Sequence, residues 1–282
     1  MYVILGNGFD LNLGLKTSYA DFLNSAEFEG ITNNSLKDHL IEANDIQGWV
    51  DVEAELKEYA EGYYQDEEMK IVDGLLDEYL ELKNNLSTYL GKCSDNLNYQ
   101  DDNFSVKFLQ YIFSGNNAFH KPTIFNFNYT DSVEKYIRPP QYKQLIYMHG
   151  TLKNDDINFG IGDRTENLER GHTFLKKSHA MNYSSSFNNF FGRDQRSGDI
   201  VQVYIFGHSL GESDNDYFKN FFRSPWLDRI TLTLINKGEK GKQQMLANID
   251  EIVDGEMAQF RNTIEKFNYI DTEKGWDENI WG

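Results

Sequence analysis

Four apolar stretches of the chain each end in a short polar signature whose groups could bind or transform a ligand. The signatures are Gly6-Asn7-Gly8-Phe9-Asp10, Asn126-Phe127-Asn128-Tyr129-Thr130, His149-Gly150 and Gly207-His208-Ser209. An imidazole can act as a general base near neutral pH, so His149 could take a proton from water or a sugar hydroxyl, which Asn128 could orient. Gly6 and Gly8 would let the backbone approach a pyrophosphate. Together the signatures predict one ligand site.

Each signature also has an explanation that involves no ligand, and both kinds of explanation stay open at the level of sequence. A Gly or Asn at the end of a strand commonly makes a turn. His149 could be a half-buried histidine bonded to backbone, and Asn128 could cap the next turn. Glu53, on a predicted helix, is expected to be a solvated carboxylate. Asp214 is expected to cap the helix that follows it.

The first signature departs from the dinucleotide-binding fingerprint G-x-G-x-x-G. After Gly6 and Gly8 the next glycine is Gly14, which comes too late to serve as the third. Asp10 repels phosphate and suits a ribose hydroxyl or a positively charged ring. The sequence therefore does not favour a Rossmann site of the hydride-transfer type.

Apolar runs predict the strands, and apolar residues at three- and four-residue spacing predict the helices. The predicted strands cover residues 2–5, 122–130, 144–150, 157–163 (the weakest), 200–214 and 229–236. Helices are predicted at 17–26, 104–113, 131–137, 215–222 and 241–253. Thr17 or Ser18 is the expected N-cap of the first helix, and Asp131 with Glu134 forms a capping-box pattern.

Strands that alternate with helices predict an α/β fold, namely a Rossmann-like parallel sheet with helices on both faces. Amphipathic and very acidic helices between about residues 36 and 115 interrupt this alternation and predict a helical insertion. Residues 164–199 are predicted to form loops and short helices. We expect a single domain over residues 1–282, in which the carboxyl ends of the strands bring the signatures to one edge.

Composition and charge limit the classes of function. The 282 residues carry a formal net charge of −18, which repels phosphate backbones and disfavours nucleic-acid binding. Cys93 is the only cysteine, which excludes an internal disulfide and a structural zinc site of four cysteines, and we expect no metal. No apolar run reaches the ~20 residues of a membrane span, and the first residues do not resemble a signal peptide. We expect a cytoplasmic protein without membrane contact.

Six short motifs in a fixed order resemble those of the AbiH family of bacterial phage abortive-infection proteins. They lie at residues 6–10 (GNGFD), 17–19 (TSY), 49–53 (WVDVE), 128–130 (NYT), 149–150 (HG) and 207–214 (GHSLGESD). The likeness runs from residue 3 to about residue 236. It implies a cytoplasmic bacterial protein that acts in defence against phage. A homo-oligomer and a phage-derived trigger are the partners that such a role leaves open.

The same motifs resemble, more distantly, the sirtuin-like NAD-binding superfamily. On that resemblance Asn128 and His149 take the catalytic positions. The nucleotide-binding positions fall on Gly6, Asn7, Gly8, Phe9, Asp10, Gly207, His208, Ser209 and Asp214. Asn126 stands where the superfamily usually has Thr, and Thr130 where it usually has Asp. A protein deacetylase is not expected, because its zinc ribbon needs more cysteines than Cys93.

The resemblance makes NAD the expected small-molecule ligand, and it leads to three hypotheses of function. In the first, the protein hydrolyses the nicotinamide–ribose bond of NAD, with Asn128 placing the ribose or the water and His149 acting as the base. In the second, it is a non-catalytic sensor of NAD or ADP-ribose that gates a partner through its acidic helices. The third, a metal-dependent nuclease, lacks a spaced acidic motif and is opposed by the net charge.

Overall fold

The computed structural model describes residues 1–47, 51–65, 74–114, 121–137, 141–163, 165–179, 200–223 and 227–280, and the structural statements below concern these residues. Trp49, Trp281 and the predicted loops at 180–199 lie outside them. The described residues form six β-strands: β1 (Tyr2–Leu5), β2 (Thr123–Asn126), β3 (Gln144–Tyr147), β4 (Val201–Phe206), β5 (Ile230–Asn236) and β6 (Lys266–Asp271).

The six strands form one parallel sheet in the order β3-β2-β1-β4-β5-β6. Every pairing within it is parallel. The predicted Rossmann-like α/β fold is therefore confirmed. The strand order reverses between β1 and β4, and in open sheets of this kind the ligand crevice lies at such a switch point, outside the carboxyl ends of the strands.

Eleven α-helices occur in the described residues. They are α1 (Asn7–Asn12), α2 (Tyr19–Leu23), α3 (Ala26–Glu29), α4 (Ser35–Gln47), α5 (Val52–Gln65), α6 (Leu75–Asp95), α7 (Phe104–Phe113), α8 (Ser132–Tyr136), α9 (Asn215–Phe222), α10 (Gly238–Ile252) and α11 (Met257–Thr263). In the part of the chain that the structure describes, no helix is long and apolar enough to cross a membrane.

Strand β1 shows why both faces of the sheet are covered. Tyr2 and Ile4 pack into one apolar cluster with α9, α10 and α11. Val3 and Leu5 point to the other face and pack with α1, α7 and α8. Successive side chains of a strand alternate between faces, so a strand buried on both sides must be apolar throughout. This is the pattern that the run Tyr2–Leu5 carries.

Helices α2 to α6 form a block with its own hydrophobic cluster, which includes Phe22, Leu40, Leu56 and Leu86. The predicted insertion at about 36–115 stays a prediction, and the hydrophobic clusters show only how its helices pack. The block begins with α2, and it does not include α7, whose buried Phe108 packs with the sheet cluster instead. Helix α7 is apolar on more of its surface than the acidic helices, which fits a position against the sheet.

Two predicted helix starts have different outcomes. The side chain of Ser18 caps α2 by accepting a hydrogen bond from the Asp21 amide at 3.1 Å, so Ser18 and not Thr17 is the N-cap. The predicted capping box at Asp131 is wrong, because its side chain caps no amide of α8. Asp131 instead accepts a hydrogen bond from Ser94 Oγ at 2.6 Å and pairs with Lys135 at 3.1 Å.

Two predictions about strands are corrected. Residues 157–163 form no strand and make a single isolated parallel bridge, between Ile161 and Lys176. This segment connects parts of the site: the Asn158 amide donates to His149 O at 2.7 Å, and its Nδ2 donates to Lys177 O at 2.9 Å. Strand β6 was not predicted, because it is an edge strand whose residues are mostly half-buried and carry no apolar run.

Candidate ligand-binding site

A cavity of about 480 Å³ lies at the carboxyl ends of the central strands. Its wall includes Gly6, Asn7, Gly8 and Asp10 after β1, Asn128 after β2, His149 after β3, and Gly207, His208, Ser209 and Asp214 after β4. The structure thus brings the four signatures together, as their positions at strand ends predict. The volume lies in the range of ~300–1,000 Å³ that is typical of small-molecule sites.

The first and last signatures meet in a close crossing of two backbones. The Gly6 amide donates to Phe206 O at 2.9 Å, and the Gly8 amide donates to Gly207 O at 2.8 Å. A Cβ on Gly6 would come within 2.5 Å of His208 Cα, and one on Gly8 within 2.6 Å of Gly207 Cα. Gly207 also has a φ of +65°, a conformation that favours glycine. Backbone packing therefore requires these glycines.

This crossing changes the role expected of the backbone amides. The amides of Gly6, Gly8 and Phe9 all donate to carbonyls of the chain itself, so these donors for a pyrophosphate are already engaged. Phe9 does not line the cavity: its side chain is fully buried and contacts Phe206 edge-on, with ring centroids 5.3 Å apart. The sequence predicts that Phe9 contacts the ligand, but in the structure its side chain lies in the hydrophobic core instead.

Asn7 fastens the start of α1 to the loop before α2. Its Nδ2 donates to Thr17 O at 3.0 Å, and its Oδ1 accepts from Thr17 Oγ1 at 2.6 Å. Both residues line the cavity. The paired bonds explain why an amide side chain, rather than a small one, stands between the two glycines of the first signature.

Asp10 is fully buried and ties α1 to the segment after β2. Its Oδ2 accepts from Thr130 Oγ1 at 2.5 Å, and its Oδ1 accepts from Ser132 Oγ at 2.6 Å. Burial raises the pKa of Asp10 to about 6, although the two hydroxyl groups oppose the shift. Both carboxylate oxygens are therefore engaged within the protein, while the residue still forms part of the cavity wall.

Asn128 lies in a loop that Asn126 shapes. Asn126 Oδ1 accepts from the Asn128 amide at 3.1 Å, and Asn126 Nδ2 donates to Thr130 O at 3.4 Å. Asn128 is only 5% exposed, and its Nδ2 has no hydrogen-bond partner among the described residues. A buried donor without a partner costs about 1–3 kcal/mol, so this amide is suited to an acceptor atom on a ligand.

His149 is buried beside a carboxylate. Its Nε2 lies 2.9 Å from Asp214 Oδ1, a contact of ion-pair distance with poor hydrogen-bond alignment. A carboxylate at Nε2 favours the tautomer that carries the proton there, and we assign that tautomer. Nδ1 is then the nitrogen of His149 that can accept a proton.

Glu53, Lys177 and Asp214 form a buried group of charges next to His149, which we call the ion cluster. Lys177 Nζ donates to Asp214 Oδ1 at 2.8 Å and to Glu53 Oε2 at 3.0 Å, and its side chain is 2% exposed. Burial disfavours the ammonium charge, but the carboxylates of Asp214 and Glu53 outweigh it and raise the pKa of Lys177. Burial also opposes ionisation of Asp214, yet Lys177 and then His149 hold the pKa of that carboxyl well below its ordinary value.

The ion cluster overturns two expectations. Glu53 is not a solvated carboxylate, since it is 7% exposed and bound to Lys177. Asp214 occupies the N-cap position of α9, but its side chain makes no capping bond. Its oxygens contact Lys177, His149 and His208 instead.

His208 has both ring nitrogens facing protein groups. The Leu210 amide donates to His208 Nδ1 at 2.9 Å, so the ring proton lies on Nε2, which is 3.4 Å from Asp214 Oδ2. The ring also packs edge-on against Phe127, with centroids 4.4 Å apart. This geometry makes His208 a support for Asp214 and leaves His149 as the better-placed base.

The wall of the cavity is acidic. Four carboxylates line it, those of Asp10, Asp51, Glu53 and Asp214, and none of the lining residues in the described ranges is Lys or Arg. Such a wall favours a neutral or positively charged group over a phosphate. Within the described ranges, no group of three or more His, Cys, Asp and Glu side chains is placed to hold a metal ion.

Sequence reasoning missed Lys177 and gave Glu53 no role. Lys177 lies in a 3₁₀ turn of a polar region, and 124 residues separate it from Glu53, so no spacing links the two. The position of Glu53 in the motif at 49–53 is the signal that could have drawn attention to it.

The fold and the site define an α/β protein with a small-molecule cavity at the switch point of a Rossmann-like sheet. The family model described as "Bacteriophage abortive infection AbiH" matches residues 1–236, a span that includes every residue of the cavity wall. The chain belongs to this family, and its role is abortive infection, a defence against bacteriophage. Among curated proteins, no match is found.

Proposed function

We propose that the protein binds NAD⁺ in this cavity and hydrolyses the bond between nicotinamide and ribose, so that NAD⁺ is depleted during phage infection. One observation carries the proposal: the His149–Asp214 pair and the unpaired Nδ2 of Asn128 line the same carboxylate-walled cavity. The resemblance of the signatures to sirtuin-like proteins supports the same ligand.

In the proposed reaction, the C–N bond between C1′ of the ribose and the nicotinamide nitrogen breaks, and its electron pair leaves with nicotinamide, which becomes neutral. Positive charge develops on the ribose. A water oxygen then bonds to C1′, and the proton that it loses passes to His149 Nδ1. The products are nicotinamide, ADP-ribose and one proton, so the step needs no oxidant and no second substrate besides water.

The carboxylates of the wall suit this distribution of charge. The pyridinium ring of NAD⁺ is positive before the bond breaks, and the ribose becomes positive as it breaks. Burial opposes the ionisation of Asp214, but Lys177 outweighs it and keeps this carboxyl ionised at neutral pH. Fixed charges placed where charge develops commonly make the greatest single contribution to catalysis.

The remaining parts of NAD⁺ have expected places that follow from the same charges. Asn128 Nδ2 donates to an oxygen of the ribose or of the attacking water. The phosphates lie at the open side, near the exposed Ser209 and the half-buried Gly211, away from the buried carboxylates. In this arrangement polar contacts and shape hold the dinucleotide, because no cation of the described wall pairs with the phosphates.

The test is incubation of the purified protein with NAD⁺ and identification of the products by mass spectrometry, alone and with extract of phage-infected cells. We expect nicotinamide and ADP-ribose in equal amounts. His149→Ala should abolish their formation, whereas His179→Ala, at an exposed histidine outside the cavity wall, should not. Absence of both products from the wild-type protein in every condition contradicts the proposal.

A second candidate function is a non-catalytic NAD⁺ or ADP-ribose sensor. This function is favoured because the helical block supplies part of the cavity wall. Tyr19 comes from α2, Glu53 from α5, and Leu86 and Leu90 from α6. A ligand in the cavity would therefore contact the acidic helical block directly and could change the surface that it offers a partner. Calorimetry that detects NAD⁺ binding without any product separates this function from hydrolysis.

A further inference from the structure

The ion cluster touches the proposed base, and the following inference rests on the proposed function. We propose that Lys177, held by Glu53, is a positioning residue that fixes Asp214 and balances its charge, so that His149 stays neutral and able to accept a proton. Lys177 itself does not line the cavity, so it would act through Asp214 and His149 rather than on the substrate.

The geometry places Lys177 and His149 on the same oxygen. Asp214 Oδ1 accepts a hydrogen bond from Lys177 Nζ at 2.8 Å and lies 2.9 Å from His149 Nε2. The side chain of Lys177 is 2% exposed, so water cannot readily take the place of its ammonium group. The position of Lys177 thus sets the position of Asp214 Oδ1 and the net charge next to the imidazole of His149.

The backbone keeps the same residues together. The Asn158 amide donates to His149 O at 2.7 Å, and Asn158 Nδ2 donates to Lys177 O at 2.9 Å. A Cβ on Gly160 would overlap the carbonyl oxygen of Leu175, so this stretch also lies close to the turn that carries Lys177. One short segment therefore sets the distance between the base and Lys177.

The charges of the ion cluster predict that loss of Lys177 and loss of the charge of Glu53 change proton binding by His149 in opposite directions. With both histidines neutral, Glu53 and Asp214 contribute two negative charges and Lys177 one positive charge. Without Lys177 the cluster carries two buried negative charges, and the adjacent His149 is the nearest group to take up a proton. Without the charge of Glu53 the cluster is neutral, and His149 holds a proton less strongly.

Other titratable groups around His149 and the cluster, within the described residues, are His208, Asp51, Tyr19, Tyr79, Tyr129 and Tyr217. The Tyr129 hydroxyl donates to Glu53 Oε1 at 3.4 Å. Burial, and then Glu53, raise the pKa of Tyr129 well above its ordinary value, so it stays neutral. His208 contacts the second oxygen of Asp214 and therefore meets the same change of charge, so its resonance is assigned and followed separately from that of His149.

The experiment compares Lys177→Met, Glu53→Gln and the control Lys176→Met in full-length protein labelled with ¹⁵N-histidine. Lys176 is the adjacent lysine, and its Nζ donates to Asp163 O at 2.9 Å, outside the ion cluster. The His149 resonance is assigned from His149→Ala and followed against pH. We expect the midpoint to rise by about one pH unit in Lys177→Met, to fall by about one in Glu53→Gln, and to stay unchanged in Lys176→Met. The acidic limb of the pH profile of NAD⁺ hydrolysis should move in the same directions.

Shifts of opposite sign distinguish a charge-setting role from a structural one, which would lower activity without moving the midpoints in this way. Folded variants whose midpoints shift together, or do not shift, overturn the proposal. If Lys177→Met does not fold, Glu53→Gln decides alone, because it leaves Lys177 paired with Asp214: a fall supports the proposal and an unchanged midpoint overturns it. The titration needs no turnover, so it remains a test even if NAD⁺ is not hydrolysed.

Discussion

The two halves of the site are built in different ways. One half consists of the signatures at residues 6–10, 128, 149 and 207–209, and each of these follows a parallel strand of the sheet. The other half is the ion cluster, whose members come from helix α5, a 3₁₀ turn and the start of α9. Its members meet only through side chains, between Glu53 and Lys177 across 124 positions of the sequence.

The comparison shows that backbone contacts hold the first half of the site in place, whereas attraction between charges holds the second half. Hydrogen bonds between adjacent parallel strands hold the strand-end signatures, and glycine allows the crossing at Gly8 and Gly207. The ion cluster is held by ion pairs, and a buried ion pair is weak evidence for stability because desolvation offsets much of the attraction. Changes at the glycines of this crossing should therefore act mainly on packing, and changes in the cluster mainly on protonation.

The largest expected effect is a loss of stability when a side chain is added where the two backbones cross at Gly8 and Gly207. Gly207→Ala should lower the free energy of unfolding by more than about 4 kcal/mol or prevent folding, because its Cβ would overlap the backbone of Phe9 and Gly8. Gly14→Ala is the matched control: Gly14 also has a positive φ, +89°, but open space surrounds its Cβ position. Strain alone should cost about 1–2 kcal/mol there. Urea unfolding of the two variants measures the difference, and equal losses would show that the crossing is not the constraint.

The second-largest expected effect is on the rate of NAD⁺ hydrolysis. His149→Ala should lower kcat for NAD⁺ hydrolysis by about 10²–10⁴, the usual contribution of a general base. Asn128→Ala should also lower kcat, and the losses should not multiply in the double variant, because both residues serve one transition state. His208→Ala should raise KM more than it lowers kcat. A protein in which His149→Ala stays active while His208→Ala does not would reverse this assignment.

Asp10 gives an expected effect of pH on stability. Its pKa is raised to about 6 in the folded state, so the folded protein holds this proton more tightly than the unfolded chain. The contribution of Asp10 is thus full below its ordinary pKa of 3.8 and is lost as pH rises through about 6. The loss amounts to at most about 3 kcal/mol. Relative to wild type, Asp10→Asn should be more stable at pH 7 than at pH 4.5, whereas the exposed Asp101→Asn should show no such difference; equal behaviour would contradict the shift.

Much of the strand-end half could be predicted from the sequence. Continuous apolar runs such as residues 2–5 and 203–206 identify strands buried on both faces, and parallel strands must place their carboxyl ends at one edge. This reasoning is enough to bring His149 and Asn128 to one cavity. The same reasoning fails for Phe9, because the sequence around it does not show whether its ring points into the cavity or into the hydrophobic core. The edge strand β6 is not predicted, because polar and charged residues interrupt its sequence KFNYID and leave no apolar run.

The ion cluster could not be predicted in this way. A lysine between two carboxylates has no local pattern, and Lys177 is surrounded in sequence by Lys176 and Ser178, both of which are more exposed. The burial of Glu53 depends on how α5 packs against the turn that carries Lys177, which is a contact of the complete fold. The sequence places Asp214 in the motif at 207–214 and at the start of a predicted helix, but its role depends on partners that neither feature indicates.

The smallest expected effect is that of salt on NAD⁺ binding, and it tests whether the strand-end half recognises the dinucleotide without cations. No Lys or Arg lines the cavity in the described part of the chain, so the dissociation constant should change by less than about threefold between roughly 0.05 and 0.5 M NaCl. Ser209→Lys adds a cation at an exposed position of the wall, and Ser209→Gln adds length without charge. Only the lysine variant should bind more tightly at low salt and lose that gain at high salt. A tenfold loss in the wild-type protein would mean that cations hold the phosphates, and recognition by neutral polar groups and shape would then be excluded.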